Sequence, residues 1–422
     1  MKQRLILFIS AILMLSSCGK QLDLFPHSGI SPDAVTADDL PALRLGMYNN
    51  MQNDPKVHSF ITFDILGGNL TGSSGNPLDI INSTLSPLNS IVAASWNGYF
   101  SALFQVNNII SICESLPASE VRNRTLGEAY YFRGLIYFNL VTRWGDVPIL
   151  RKNTLEKPFR KPVTEVWAFV EENLNQAAAL LGTSESYYYV SADAVTALRA
   201  RVMLSQGKMT EATTYAESLI TSGKYKLDAF EKIFRKLGNT EVIFAFENIS
   251  EESSINISDL FYTYAHPNKG QGTYKPARDV VDSYAANDNR KNISIVNIAG
   301  TECINKYPSG QTGRDPVIIS RIAEMYLISA EAQGRLNGIG RLNQLRSFRG
   351  LVNLTVSNDD SYIDAILLER KRELLAENFM YHDLIRLGKA IKNLGILSHQ
   401  TLLPIPGREL QLNGNLIPNP GY

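Results

Sequence analysis

A mainly α fold, built of stacked helix hairpins with long loops and a few short strands, is what this 422-residue chain predicts, and three observations lead there. From about Pro41 onward the most persistent pattern places apolar residues at i, i+3, i+4 and i+7, the spacing of one buried helix face. Three segments, Glu128 to Trp144, Asp193 to Gly207 and Arg321 to Gly338, alternate small and aromatic residues along one face and close on a glycine or a turn. Between the helical runs lie two long polar stretches, Asp64 to about Asn89 and Asn248 to about Arg314, and loops of such length in a compact chain are usually functional or disordered. A short apolar run, Glu241 to Phe246, reads as a strand.

Taken in order, the chain begins with Lys2 and Arg4 ahead of eleven residues, Leu5 to Leu15, whose only polar side chain is Ser10. That is a secretory signal, residues 1–17, because eleven residues of helix rise about 16 Å, half of what a bilayer core requires. The string Leu15-Ser16-Ser17-Cys18-Gly19 resembles the bacterial lipobox, in which the cysteine is acylated and becomes the first residue of the mature chain. Cys18 is therefore the expected lipidation site, and several acyl chains hold an otherwise water-facing protein on a membrane at about 0.8 kcal/mol per buried methylene. Residues 18–40, with Pro26 and Pro32, read as the tether, and residues 41–422 as the folded body, divided into a part about 41–235 and a part about 236–422.

Within the body, Ala197, Ala200, Arg201, Leu204 and Gly207, followed by Glu211-Ala212, Tyr215-Ala216 and Leu219, read as a helix hairpin of tetratricopeptide type. Alanines let the two antiparallel helices approach, and such hairpins bury both faces only by stacking. With 41 basic and 41 acidic residues the chain lacks the positive stripe that displaces counterions from phosphates, so no nucleic-acid partner is expected. Removal of residues 1–17 leaves 39 basic residues against 41 acidic ones. Cys18, Cys113 and Cys303 are too few for a disulfide scaffold and too scattered for a zinc cluster; Cys113 and Cys303 read as isolated thiols, with a bridge between them left open.

Five ordered blocks resemble the SusD/RagB family of outer-membrane lipoproteins from Bacteroidetes-type bacteria. They are Trp96-x-x-Tyr99 with Asn107-Asn108; Glu128-Ala129-Tyr130-Tyr131-Phe132-Arg133-Gly134 with Arg143-Trp144-Gly145-Asp146-Val147-Pro148; Arg321 to Ala332 with Leu342-Asn343-Gln344-Leu345-Arg346; Glu369 to Leu374 with Asp383-Leu384-x-Arg386; and Leu403-Pro404-Ile405-Pro406 with Asn419-Pro420-Gly421-Tyr422. The resemblance implies a SusD-like fold, an outer-membrane, cell-surface location, and delivery of a bound oligosaccharide, by a lid movement, to a SusC-like TonB-dependent transporter. It also admits a peptide-binding RagB-like protein, or a lid with little affinity of its own. Gly19-Lys20-Gln21 carries no acidic residue, so surface exposure rests on the family likeness rather than on the tether.

Enzymatic chemistry finds little support. The five histidines form no HExxH, and neither a P-loop nor GxSxG occurs. Glu369 and Glu373 lie on one helix face with Arg372 and Arg386 near them, which reads as ion pairs tying helices together rather than two acids flanking a glycosidic bond. Glu128, Arg133 and Asp146 take the same structural reading, and Trp96 and Tyr99 read as core. No cofactor is expected, and bound calcium is left open.

Sugar recognition needs an aromatic face for the C–H side of a pyranose, with planar amides and carboxylates for vicinal hydroxyls. The two long loops supply these types. The expected contacts are Asp64, Asn69 and Asn76 in the first, and Tyr262, Tyr264, His266 and Tyr274 in the second. Tyr187-Tyr188-Tyr189 is a rival platform, ranked below the second loop.

Overall fold

The computed structural model describes residues 35–72, 78–184 and 186–422. The principal helices are α1 (Leu40–Asn53), α2 (Ser90–Ser115), α3 (Glu120–Trp144), α4 (Val163–Leu180), α5 (Ala192–Ser205), α6 (Met209–Thr221), α7 (Ile322–Ala332), α8 (Gly334–Phe348), α9 (Asp359–Glu373) and α10 (Met380–Arg386). Six short strands accompany them among the described residues: β1 (Leu70–Gly72), β2 (Val242–Phe246), β3 (Tyr274–Pro276), β4 (Ile295–Ile298), β5 (Thr301–Ile304) and β6 (Val317–Arg321). They form three separate antiparallel pairs, β1 with β3, β2 with β6 and β4 with β5. The signal, Cys18 and nearly all of the tether lie outside the described residues.

Local chemistry sets the helix ends. Asn89, Ser119 and Ser191 accept the backbone N–H of Val92, Arg122 and Ala194, satisfying donors that the first turns of α2, α3 and α5 leave open. The hairpins stack as their small residues require: α2 against α3, α3 against α4, α5 against α6, and α6 against α7, which in turn packs on α8. Two glycines permit close approach. A Cβ on Gly98 in α2 would stand 2.0 Å from the Asp54 carbonyl oxygen, and one on Gly338 in α8 would stand 1.9 Å from that of Ala330 in α7. The third repeat-like run therefore ends earlier than its pattern suggests. Gly334, at φ +70°, breaks it after Ala332, and Gly338 is the contact point of the returning helix.

The core runs without interruption across residue 235. Phe132 of α3 lies against Phe244 and Phe246 of the fully buried strand β2, at ring separations of 6.2 and 6.0 Å. Trp96 and Trp144 meet edge to face at 5.1 Å, and the Trp144 indole N–H donates to the Pro404 carbonyl at 3.1 Å. Cys113 and Cys303 are buried free thiols.

Glu369 and Glu373 of α9 face inward. Glu373 meets Arg290, Arg321 and Arg349 at 2.8, 2.5 and 2.8 Å, and Glu369 meets Arg290 and Arg346 at 2.6 and 2.8 Å. Their oxygens are committed to cations on β6, α8 and the 290 segment, so these acids join elements of the fold.

Candidate functional site

The two long polar loops meet in a two-stranded ribbon. Leu70 stands opposite Pro276, Thr71 opposite Lys275 and Gly72 opposite Tyr274. Below the ribbon, Asp64 fixes the first loop: its Oδ1 accepts from Asn69 Nδ2 at 2.8 Å and from the Ala376 N–H at 2.9 Å, and its Oδ2 accepts the Asn378 N–H at 2.6 Å. Asn69 in turn accepts the Ala277 N–H on its backbone carbonyl at 2.9 Å. Burial pushes the Asp64 carboxyl up to about 6 against the hydrogen bonds that favour its ionised form.

This arrangement corrects four of the expected ligand contacts. Asp64 and Asn69 are buried, and the Asp64 oxygens and the Asn69 amide nitrogen are spent on the chain itself. Tyr262 is 1 % exposed: its ring stacks on His266 at 3.6 Å, and its hydroxyl donates to Asn305 Oδ1 at 2.6 Å. Tyr274 is also enclosed, with its ring edge-on to His58 at 5.9 Å. These side chains anchor the loops from within. Tyr264 and His266 remain at the surface. The Tyr264 ring is 71 % exposed, with the Lys269 ammonium 4.7 Å from its centroid, and His266 is half-buried, its Nδ1 accepting the Asn268 N–H at 3.0 Å. Asn76 lies outside the described residues.

The rival platform has a setting that the sequence did not show. Tyr187 and Tyr188 are half-buried and meet edge to face at 4.5 Å. Tyr189 borders a cleft of about 710 Å³ between the first turns of α3 and the end of α4, and Tyr187 borders a neighbouring one of about 310 Å³. The larger cleft is built around Arg44 of α1. The guanidinium makes a two-point pair with Glu128 (Nε to Oε2 at 2.5 Å, Nη2 to Oε1 at 2.6 Å) and lies over Tyr189 at 4.3 Å. Asn123, Arg124, Ser184 and Ser186 complete its polar rim, while Leu180, Leu181 and Val190 supply apolar surface. Arg44 and Asn123 carried no sequence signal of their own.

Among the described residues no cluster of His, Cys, Asp and Glu side chains is placed to hold a metal ion, and no helix is long and apolar enough to cross a membrane.

Comparison with known proteins supplies the context for this geometry. Residues 22–204 match a family described as "Starch-binding associating with outer membrane", and residues 301–400 match the SusD family. A SusD-like protein of Formosa agariphila is 25 % identical, with 99 % of this chain and 98 % of the relative aligned. Among solved structures, a laminarin-binding SusD-like protein aligns with a TM-score of 0.78 at 21 % identity, covering 91 % of this chain and 99 % of its own. Surface glycan-binding protein A from Bacteroides fluxus aligns with a TM-score of 0.80 at 18 % identity, covering 92 % of this chain and all of that one. At such identities these two structures establish the fold.

Proposed function

The chain belongs to the SusD family, and from that footing we propose that it is an outer-membrane lipoprotein, anchored through Cys18, that captures an oligosaccharide on its loop face and delivers it to a SusC-like TonB-dependent transporter. The observation that carries the assignment of the face is the ribbon of β1 and β3, which joins two polar loops distant in sequence and leaves the Tyr264 ring exposed at the surface of the second. An exposed aromatic ring on a rigidly anchored loop suits the C–H face of a sugar, and the inward tyrosines make the anchorage. Relatives of the same fold include proteins named for laminarin or surface-glycan binding, which supports a glycan as the ligand class. No bond is broken in this reading: the inward carboxylates of α9 are neutralised by arginines, and the protein holds, encloses and hands over.

The test is a panel of polysaccharides and peptides screened against the mature protein by affinity electrophoresis and calorimetry. A glycan that binds, with loss on Tyr264→Ala at unchanged thermal stability, is the expected outcome. Binding to peptides alone would replace the ligand class, and binding to nothing would leave a transporter lid whose ligand contacts reside in the barrel. Membrane release on Cys18→Ala, assayed without the transporter, tests the anchor.

A further inference from the structure

We propose that the cleft lined by Arg44, Asn123 and Tyr189 is a second ligand site, separate from the loop face, and that it takes a segment of a neutral oligosaccharide. Its volume, about 710 Å³, falls within the range of pockets that enclose small ligands.

The ligand class follows from charge. Arg44 is cancelled by Glu128, which is fully enclosed, and Arg124 pairs with Glu120 at 3.2 Å one helical turn away. Among the described lining residues both guanidiniums are balanced by carboxylates, so these residues present neither the surplus positive charge that would hold a phosphate or a carboxylate nor a surplus acid that would hold a cation. What remains among the described lining residues is an amide, hydroxyls and apolar side chains. The Asn123 amide N–H groups and the Ser186 hydroxyl can meet a ligand's hydroxyls, the Asn123 Oδ1 already accepting from Arg122 at 3.0 Å and the Ser184 hydroxyl donating to the Ser186 carbonyl at 2.9 Å, while Leu180, Leu181 and Val190 offer surface to C–H groups.

The walls are fixed in advance. Tyr48 accepts the Val190 N–H on its hydroxyl at 2.9 Å, the Ala192 N–H closes onto the Gly182 carbonyl at 2.9 Å, and the Ala245 N–H of β2 holds the Tyr187 carbonyl at 3.0 Å. Arg44 is clamped along one edge by Glu128 and over one face by Tyr189, while its Nη1 has no hydrogen-bond partner among the described residues. A ligand entering here meets an Arg44 donor that needs no reordering, which lowers the cost of binding. The site is also remote from the loop face. Glu128 and Arg143, whose guanidinium reaches the Ser59 carbonyl beside the base of the first loop, are separated by about 22 Å along α3.

The experiment titrates the mature protein with neutral gluco-, manno- and xylo-oligosaccharides, using calorimetry for stoichiometry and ligand-observed NMR to detect weak binding. Three variants are compared. Asn123→Ala removes the amide, Ser184→Trp fills the cleft from an exposed position, and Tyr264→Ala marks the loop face. The cleft predicts a binding component that weakens about ten-fold in Asn123→Ala, disappears in Ser184→Trp and survives Tyr264→Ala. Glycan binding lost only in Tyr264→Ala overturns the cleft and leaves the loop-face reading standing. Binding lost only in the cleft variants overturns the loop face instead. A cleft component seen with sulfated glycans or peptides but not with neutral sugars, or no neutral sugar bound at millimolar concentration, also overturns the proposal.

Discussion

Asp64 accepts the backbone N–H of Asn378 at 2.6 Å, joining the base of the first loop to the turn that follows α9. Ala376 and Asn378 both have positive φ, 60° and 73°, so the turn is held in a strained conformation that the buried carboxylate helps to fix. Asp64→Ala leaves two backbone donors without their acceptor. The expected cost is about 2–4 kcal/mol in urea unfolding, and a loss under about 0.5 kcal/mol would show that water replaces the carboxylate freely.

The same carboxyl has a pH signature. Its folded value, about 6, lies above the unfolded value of about 3.9, so the folded state binds more protons in that interval. The contribution of Asp64 to stability therefore declines as pH rises from about 4 to about 6. Measured as the difference between wild type and Asp64→Asn across this window, the wild-type advantage should shrink with increasing pH. A difference that stays flat or widens contradicts the burial argument.

Acid behaves in the opposite sense at the ion network. Burial alone would raise Glu373, yet Arg349, Arg321 and Arg290 hold it well below the usual carboxylate range. Burial would likewise raise Glu377, and Arg321 and Lys306 outweigh it, holding the carboxyl below its ordinary value. With folded values below unfolded ones, their stabilisation is present above about pH 4 and is lost as pH falls through the folded values. Urea midpoints should drop steeply below about pH 4, and Glu373→Gln should make that drop shallower.

Arg321 is the hub of this network. It reaches Glu241 and Glu373 at 2.6 and 2.5 Å and Glu377 at 2.8 Å, all inside the core. Arg321→Met takes one cation from each of three buried carboxylates, which keep Arg290, Arg349 and Lys306, and should cost about 3–5 kcal/mol or abolish folding. Arg151 provides the contrast. Its pair with Glu172 is largely exposed, and Arg151→Met should cost at most about 1 kcal/mol in the same assay.

What the sequence made legible was what depends on spacing. The 193–219 hairpin appears as α5 and α6 because a 3.6-residue period reports one buried face, and the strand read at 241–246 appears as β2 because a short apolar run marks a strand buried on both faces. The ion-pair reading of Glu369 and Glu373 held for a related reason, since acids mixed with arginines on one helix face cannot enclose a substrate from two sides. Side-chain direction within the long loops was not legible. Tyr262, Tyr264 and Tyr274 are alike in sequence, and only the ribbon with β1 and the stack on His266 decide that the second alone is exposed. The cleft around Arg44 was invisible for a different reason: its Glu128 partner is 84 residues away, and no periodic pattern encodes that distance.

The C-terminal Asn419 gives the last prediction. Its amide N–H groups donate to the Trp144 carbonyl at 3.0 Å and the Leu403 carbonyl at 2.8 Å, the first of these at the end of α3 and the second just before Pro404. Tyr422 extends the contact by donating its hydroxyl to the Leu402 carbonyl at 2.9 Å. The terminus is thus a clasp over Trp144, which itself donates to Pro404. Asn419→Ala leaves two carbonyls short of a donor in an enclosed place, at a cost of about 1–3 kcal/mol. Asn419→Asp should also be damaging, because one of its oxygens would face both carbonyl oxygens while the other keeps the Arg160 guanidinium. Both variants should shift the Trp144 contribution to near-ultraviolet circular dichroism while leaving far-ultraviolet helix content unchanged. Loss of helix signal together with the tryptophan signal would mean that the clasp supports the whole stack rather than the end of α3.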